Sequence, residues 1–342
     1  MTATLGEGRT PLVSSIRLAR EIGIRRLYFK LESTNPSGSY KDRFIAAEVT
    51  RILASGSRAC VATSSGNTGS ALAAYCARYD IRCAILVNEV APEGKLMQMK
   101  AHGAKVIRVR GFGADSAVTK GVFDTLAELA RKENVPLVVS AFRHCPVGMA
   151  GVESLGRELV EQAGPELHHV FVPMGGGGLY AATCRGVASA GWPVHIVQPA
   201  GCLTAVAAWQ RGDSEIVPVE SSTRISGLSV PFDIDATLAL EHLRACGGFG
   251  LGVEDDEVFE SQRLMLSLEG IFSEPAGATA LAGLRKALRE GRLSAGESAI
   301  CLVTGTGFKD PDSIAAAAGK QDILIGHEDV RSYLRANVLD LQ

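Results

Sequence analysis

Positive charge is in no surplus in this chain: 35 lysines and arginines stand against 37 aspartates and glutamates over 342 residues, a formal net charge of -2. Neutralising a run of phosphates requires such a surplus, so nucleic acid is not expected as a partner. No apolar run approaches the roughly 20 residues of a membrane-crossing helix, so no membrane partner is expected either. The eight cysteines, at positions 60, 76, 83, 145, 184, 202, 246 and 301, fall at irregular intervals, with no Cys-x-x-Cys pair and no His-x-x-x-His downstream. Their spacing offers no metal motif, and free thiols in a reducing compartment are the expectation. The start, Met1 to Gly8, has neither a basic cluster nor an apolar stretch, which predicts an untargeted, cytoplasmic protein. A Gly-x-x-x-x-Gly-Lys-Ser/Thr motif is missing, which excludes a P-loop, and neither an internal repeat nor a low-complexity tract occurs.

What is there is a chain of 46% hydrophobic residues, long enough for two domains and a large core. From about residue 59, short apolar runs rich in β-branched residues alternate with longer helix-period segments, the pattern of a parallel sheet with crossover helices. Strands are expected at Ala59 to Thr63, Cys83 to Val87, Lys105 to Val109, Leu137 to Ser140, Val170 to Val172, Val194 to Val197 and Ala299 to Val303, each apolar on both faces. Helices are expected at Thr68 to Arg78, Ala114 to Lys132, Met149 to Gln162, Asp256 to Leu268 and Gly277 to Glu290. The fold class is therefore α/β.

Three segments carry chemistry. A strand-like run, Leu27 to Glu32, leads into Asn35-Pro36-Ser37-Gly38-Ser39-Tyr40-Lys41-Asp42-Arg43 and a helical pattern through Leu53. Lys41 thus sits where a loop becomes a helix, and the positive end of the helix dipole opposes its charged form and favours the free amine that carbonyl chemistry needs. The second segment, Thr63-Ser64-Ser65-Gly66-Asn67-Thr68-Gly69, joins a strand end to a helix start and offers N–H groups and hydroxyls to an anion; a decorated N-cap is the competing reading. In the third, the strand Val170 to Val172 runs into Gly175, Gly176, Gly177 and Gly178 and then Leu179, a loop whose bare N–H groups can close round a phosphate. A dinucleotide site fits it less well, because Gly-x-Gly-x-x-Gly spacing is missing and the next strand ends in Gln198, not an acid.

In this order and spacing the segments resemble the fold-type II pyridoxal-phosphate enzymes, the threonine synthase branch most. The resemblance extends over nearly the whole chain and includes Gly8-Arg9-Thr10-Pro11-Leu12, Gly94-Lys95-Leu96, Ser273-Glu274-Pro275-Ala276-Gly277 and Thr304-Gly305-Thr306-Gly307-Phe308-Lys309-Asp310. It implies two domains of mostly parallel sheet flanked by helices. A small one spans residues 42–145, and a large one is built from residues 1–41 and 146–342. It implies pyridoxal 5'-phosphate held covalently by Lys41, which later acts as acid and base. It implies Asn67 beside the cofactor's ring oxygen and Ser64, Ser65 and Thr68 round the substrate carboxylate. Gly175 to Gly178 with the N–H of Leu179 would cradle the phosphate, and the Thr304 hydroxyl would face the ring nitrogen. Glu274 either lines the site or is a helix-start charge; both readings stand. A small amino-acid substrate and a homodimer are implied by the resemblance alone.

Two departures bear on the substrate. Gly148 and Glu153 stand where threonine synthases place an arginine and a lysine near a substrate phosphate, and the segment Arg224 to Pro231 resembles the loop of serine and threonine dehydratases. The expected activity is a β- or γ-elimination or replacement on a small L-amino acid, threonine-synthase-like. A serine/threonine dehydratase or a β-replacing synthase is the alternative, and a cofactor-binding protein without catalysis ranks third.

Overall fold

A computed structural model of the chain describes residues 1–113, 115–166, 168–319 and 322–339, with the backbone alone for Ser116. Its ten strands are β1 (Leu12–Ser14), β2 (Arg26–Leu31), β3 (Ala59–Ala62), β4 (Arg82–Asn88), β5 (Lys105–Val109), β6 (Leu137–Val138), β7 (His169–Pro173), β8 (Val194–Pro199), β9 (Gly250–Val253) and β10 (Ser298–Val303). They form two sheets, a six-stranded one in the order β1-β2-β10-β7-β8-β9 and a four-stranded one in the order β5-β4-β3-β6. Every pairing is parallel except β1 with β2 at the edge. The α/β class is thus as the sequence predicts.

The helices are α1 (Leu18–Ile22), α2 (Lys41–Ala54), α3 (Asn67–Arg78), α4 (Glu93–Ala101), α5 (Ser116–Glu133), α6 (Pro146–Ala163), α7 (Gly178–Val187), α8 (Ala205–Arg211), α9 (Ala236–Ala245), α10 (Asp255–Glu269), α11 (Pro275–Arg289), α12 (Pro311–Ala318) and α13 (Val330–Leu334). Proline opens α6 and α11, where its missing N–H costs nothing and its φ suits the first turn. Glu254 and Glu257 close a capping box at the start of α10. Ala114, the expected first residue of the fifth helix, lies outside the described residues.

The period of two along the central strands divides the core. Ile300 and Leu302 of β10, with Val170 and Val172 of β7, enter one cluster with α2, α3, α6 and α7. Ala299, Cys301 and Val303, with Phe171, enter a second cluster with α10 and α11 on the other face. All six residues of β8 and of β10 are buried, as strands covered on both faces must be. The expectation of two apolar faces fails for β5, an edge strand whose Lys105 and Ile107 are exposed. It also fails for β6, which ends at Val138 because the chain there turns towards α6, with Ala141 donating to the Val139 carbonyl and Cys145 to that of Ala141.

Helices α6 and α7 cross at Gly156 and Gly186, and a Cβ on Gly186 would stand 2.4 Å from the Glu153 carbonyl oxygen and 2.7 Å from the Gly156 Cα. Both neighbours are backbone and cannot rotate aside. Gly186→Ala is expected to destabilise the fold by about 1–3 kcal/mol, read as a lowered urea midpoint with an unchanged slope.

Candidate active site

The carboxyl ends of β3, β6, β7 and β10 face a cavity of about 820 Å³. Ligands of open parallel sheets lie at this end, where helices begin and their N–H groups are unsatisfied. Among the helices that start at the cavity wall are α2 at Lys41, α3 at Asn67, α7 at Gly178 and α11 just after Glu274.

The loop before α2 is held by residues far away in sequence. Tyr40 N donates to Thr304 O at 3.0 Å, Thr306 N donates to Gly38 O at 2.9 Å, and Ser39 bridges Gly305. The Asp42 carboxylate accepts from the backbone and hydroxyl of Ser37. Burial pushes the Asp42 carboxyl up, to about 6, against the pull of those Ser37 hydrogen bonds. The preceding residue, Lys41, points its amine into the cavity, where Nζ donates to Ser140 Oγ at 2.6 Å and lies 4.5 Å from the centre of the Tyr40 ring.

The turn after β3 places Ser64, Ser65 and Thr68 on the wall of the same cavity. Asn67 opens α3 and donates Nδ2 to both oxygens of Glu274, at 3.0 and 3.1 Å. Thr304, just past β10, donates Oγ1 to Glu274 Oε1 at 3.2 Å. Glu274 is therefore more than a helix-start charge: it is buried in the cavity wall and joins two residues singled out for the cofactor ring. Burial pushes its carboxyl up, although the hydrogen bonds from Asn67 and Thr304 and the charge of Lys309 oppose this.

The glycine loop after β7 lines the same cavity, with Gly175, Gly176, Gly177, Gly178 and Leu179 all on its surface. Gly177 has a φ of +105°, and a Cβ there would stand 2.4 Å from the Asp235 carbonyl oxygen. Only glycine fits. Asp235 N in turn donates to Gly176 O, and the Asp235 carboxylate accepts from the backbone of Phe142 and Arg143, fixing the loop against the segment that carries Ser140.

Gly148 and Glu153 do not border the cavity. A Cβ on Gly148 would run into Phe44 and Glu48 of α2, and Glu153 pairs with Arg157 and Arg185 on the outer side of α6. Neither residue is part of the cavity wall, so the two departures do not themselves remove a charge from its present lining. Arg143 is exposed, beside Asp233, outside the cavity. Lys95 does border it, donating to Ser226 Oγ and lying 3.7 Å from Asp310. Ser140 was missed from the sequence. Its one signal was its place just past the carboxyl end of a strand in the small sheet.

Residues 3–305 match the family model described as pyridoxal-phosphate dependent enzyme. The chain belongs to this family. Among curated members of it, the threonine synthase of Methanocaldococcus jannaschii is 34% identical over 326 residues, covering 92% of this chain and 78% of that protein. The threonine synthase of Mycobacterium leprae is 34% identical over 317 residues, covering 91% and 84%. Of the solved structures, the threonine deaminase of T.th. superposes with a TM-score of 0.74 at 25% identity, covering 93% of this chain and 94% of that one. As a pyridoxal-phosphate dependent enzyme, this protein is threonine-synthase-like in sequence, with the fold of the wider group. No helix among the described residues is long and apolar enough to cross a membrane.

Proposed function

We propose that the protein is a threonine-synthase-like lyase that acts on a small L-amino acid by β- or γ-elimination or replacement. One observation carries the reading: a single cavity brings together the Lys41 amine and two helix amino ends, the glycine loop at α7 and the Ser64–Ser65 turn at α3. Two anion sites sharing a cavity with an amine suit a phosphate-bearing aldehyde at one and a substrate carboxylate at the other.

The residues present fit the cofactor. Gly175 to Gly178 and the N–H of Leu179 would hold its phosphate, Lys41 its aldehyde carbon, Asn67 its ring oxygen and Thr304 its ring nitrogen. When bound, pyridoxal phosphate supplies an electron sink for a carbanion at the substrate α-carbon. The Lys41 amine removes the α-proton and carries it on Nζ, with Ser140 Oγ at 2.6 Å keeping the amine oriented. Ser64, Ser65 and Thr68 hold the substrate carboxylate at the start of α3 and fix which substrate bond lies nearest Nζ. Lys95, the remaining lysine on the cavity wall, is placed to attract an anionic leaving group. The same reading takes residues 42–145 as the small domain and the protein as a cytoplasmic homodimer, on the family resemblance.

The test is phosphate release from O-phospho-L-homoserine by the purified, cofactor-loaded protein, with threonine assayed in the same tube. Release with threonine formation is expected. If no phosphate appears while serine or threonine yields a 2-oxo acid and ammonia, the dehydratase reading replaces this one.

A further inference from the structure

The irregular cysteine spacing hides a cluster. Cys60 and Cys83 are register partners on the adjacent parallel strands β3 and β4, and Cys76 lies on the last turn of α3, the helix that connects those strands. The three sulfurs lie within 4.8 Å of one another, and Cys60 Sγ is 3.5 Å from Cys76 Sγ. That separation is far beyond the roughly 2 Å of a disulfide, and all three thiols are free.

We propose that Cys60, Cys76 and Cys83 form a three-thiolate site for a soft d10 metal ion of the Cu(I) or Cd(II) class. Thiolate sulfur about 2.3 Å from a metal at the centre of three ligands places the sulfurs about 4 Å apart. The observed spacing brackets that value, so small side-chain rotations complete the site. An all-sulfur donor set selects soft ions over magnesium, calcium or manganese. The number of ligands narrows the class further. Structural zinc takes four protein ligands, and among the described residues no histidine, aspartate, glutamate or fourth cysteine joins the trio.

Cys83 is the most accessible of the three, at 9% against 1% for Cys60 and 2% for Cys76, and marks the side from which an ion enters. The site lies at the amino ends of β3 and β4, away from the cavity, which meets β3 at its carboxyl end. An ion here ties together the three consecutive elements β3, α3 and β4, and its effect is on the stability of the unit that carries the Ser64–Ser65 turn, not on a chemical step.

The experiment titrates the reduced, cofactor-loaded full-length protein with Cd(II) alone, following sulfur-to-metal absorption in the ultraviolet and the thermal midpoint. Wild type is expected to bind one equivalent with the thiolate band and a raised midpoint. Cys83→Ser is expected to bind at least tenfold more weakly and lose most of the band, and Cys184→Ser is expected to keep both. Cys76→Ser provides a second test of the cluster should the first variant fold poorly by circular dichroism. No band in wild type, or a band retained in both cluster variants, would overturn the proposal.

Discussion

Replacing Lys41 with alanine is expected to reduce turnover by about 10³-fold or more while leaving the fold intact, since loss of a positioned acid/base group alone costs roughly 10²–10⁴-fold. The lysine is half-buried at the first position of α2, its Nζ bonded to Ser140 and otherwise turned to the cavity, so alanine removes no core contact and suits the helix. Two further readouts separate chemistry from damage. The wild type is expected to take up one cofactor mass per chain after borohydride treatment, and Lys41→Ala none. The circular dichroism of the two is expected to coincide. A variant that still fixed the cofactor mass would place the reactive amine elsewhere and sink the assignment.

Glu158→Gln is expected to destabilise the protein by about 3–5 kcal/mol, the range for breaking a buried ion pair from one side. Glu158 reaches from α6 to two buried cations. Lys30 on β2 is fully buried, with Nζ donating to Glu158, Gln162 and the Thr10 carbonyl, and three acceptors suit an ammonium, not a two-donor neutral amine. Arg43 on α2 donates to both oxygens of Glu158 and both of Glu32. Burial pushes the Glu158 carboxyl up, but hydrogen bonds from Arg43 and Lys30 outweigh it and hold the group down to about 2, from an ordinary value near 4.5. That difference corresponds to about 3 kcal/mol. Because the folded value lies below the unfolded one, this stabilisation is complete above about pH 4.5 and is lost as the pH falls towards 2. Urea midpoints at pH 7 and pH 3 test both statements: the variant is expected to be weaker at pH 7 and to lose less on acidification. An unchanged midpoint at pH 7 would show that Lys30 and Arg43 are satisfied without Glu158. Arg43 lies two residues after Lys41, so the same change is expected to loosen the start of α2.

The central strands were legible because their composition and their burial agree. Val170 to Val172 and Ala299 to Val303 are apolar throughout and lie inside a sheet covered on both sides. The Lys41, Ser64 to Thr68 and Gly175 to Gly178 segments were legible because each is a strand end followed by turn residues and a helix start, and each such junction of a parallel sheet opens on the same side. What sequence reading could not supply is direction within a helix. Gly148 occupies a position aligned with a cation, yet its α-carbon faces Phe44. Nor could it supply pairing across a crossover: Cys60 and Cys83 are 23 positions apart in the chain and side by side in the sheet. The role of Glu274 stayed open for the same reason, since only folding brings Asn67 and Thr304 to its two oxygens.

The stitches between residues 38–40 and 304–306 have a consequence for how the protein is made. A ribosome releases the chain amino end first, so Lys41 emerges early and waits for its partners until more than two hundred and fifty further residues have been synthesised. Until Thr304 and Thr306 leave the exit tunnel, Tyr40 and Gly38 lack their backbone partners and the start of α2 is not anchored. The nascent chain therefore carries the Lys41 amine before the backbone frame that holds its loop exists, and that frame closes only when two segments more than two hundred and fifty residues apart have met.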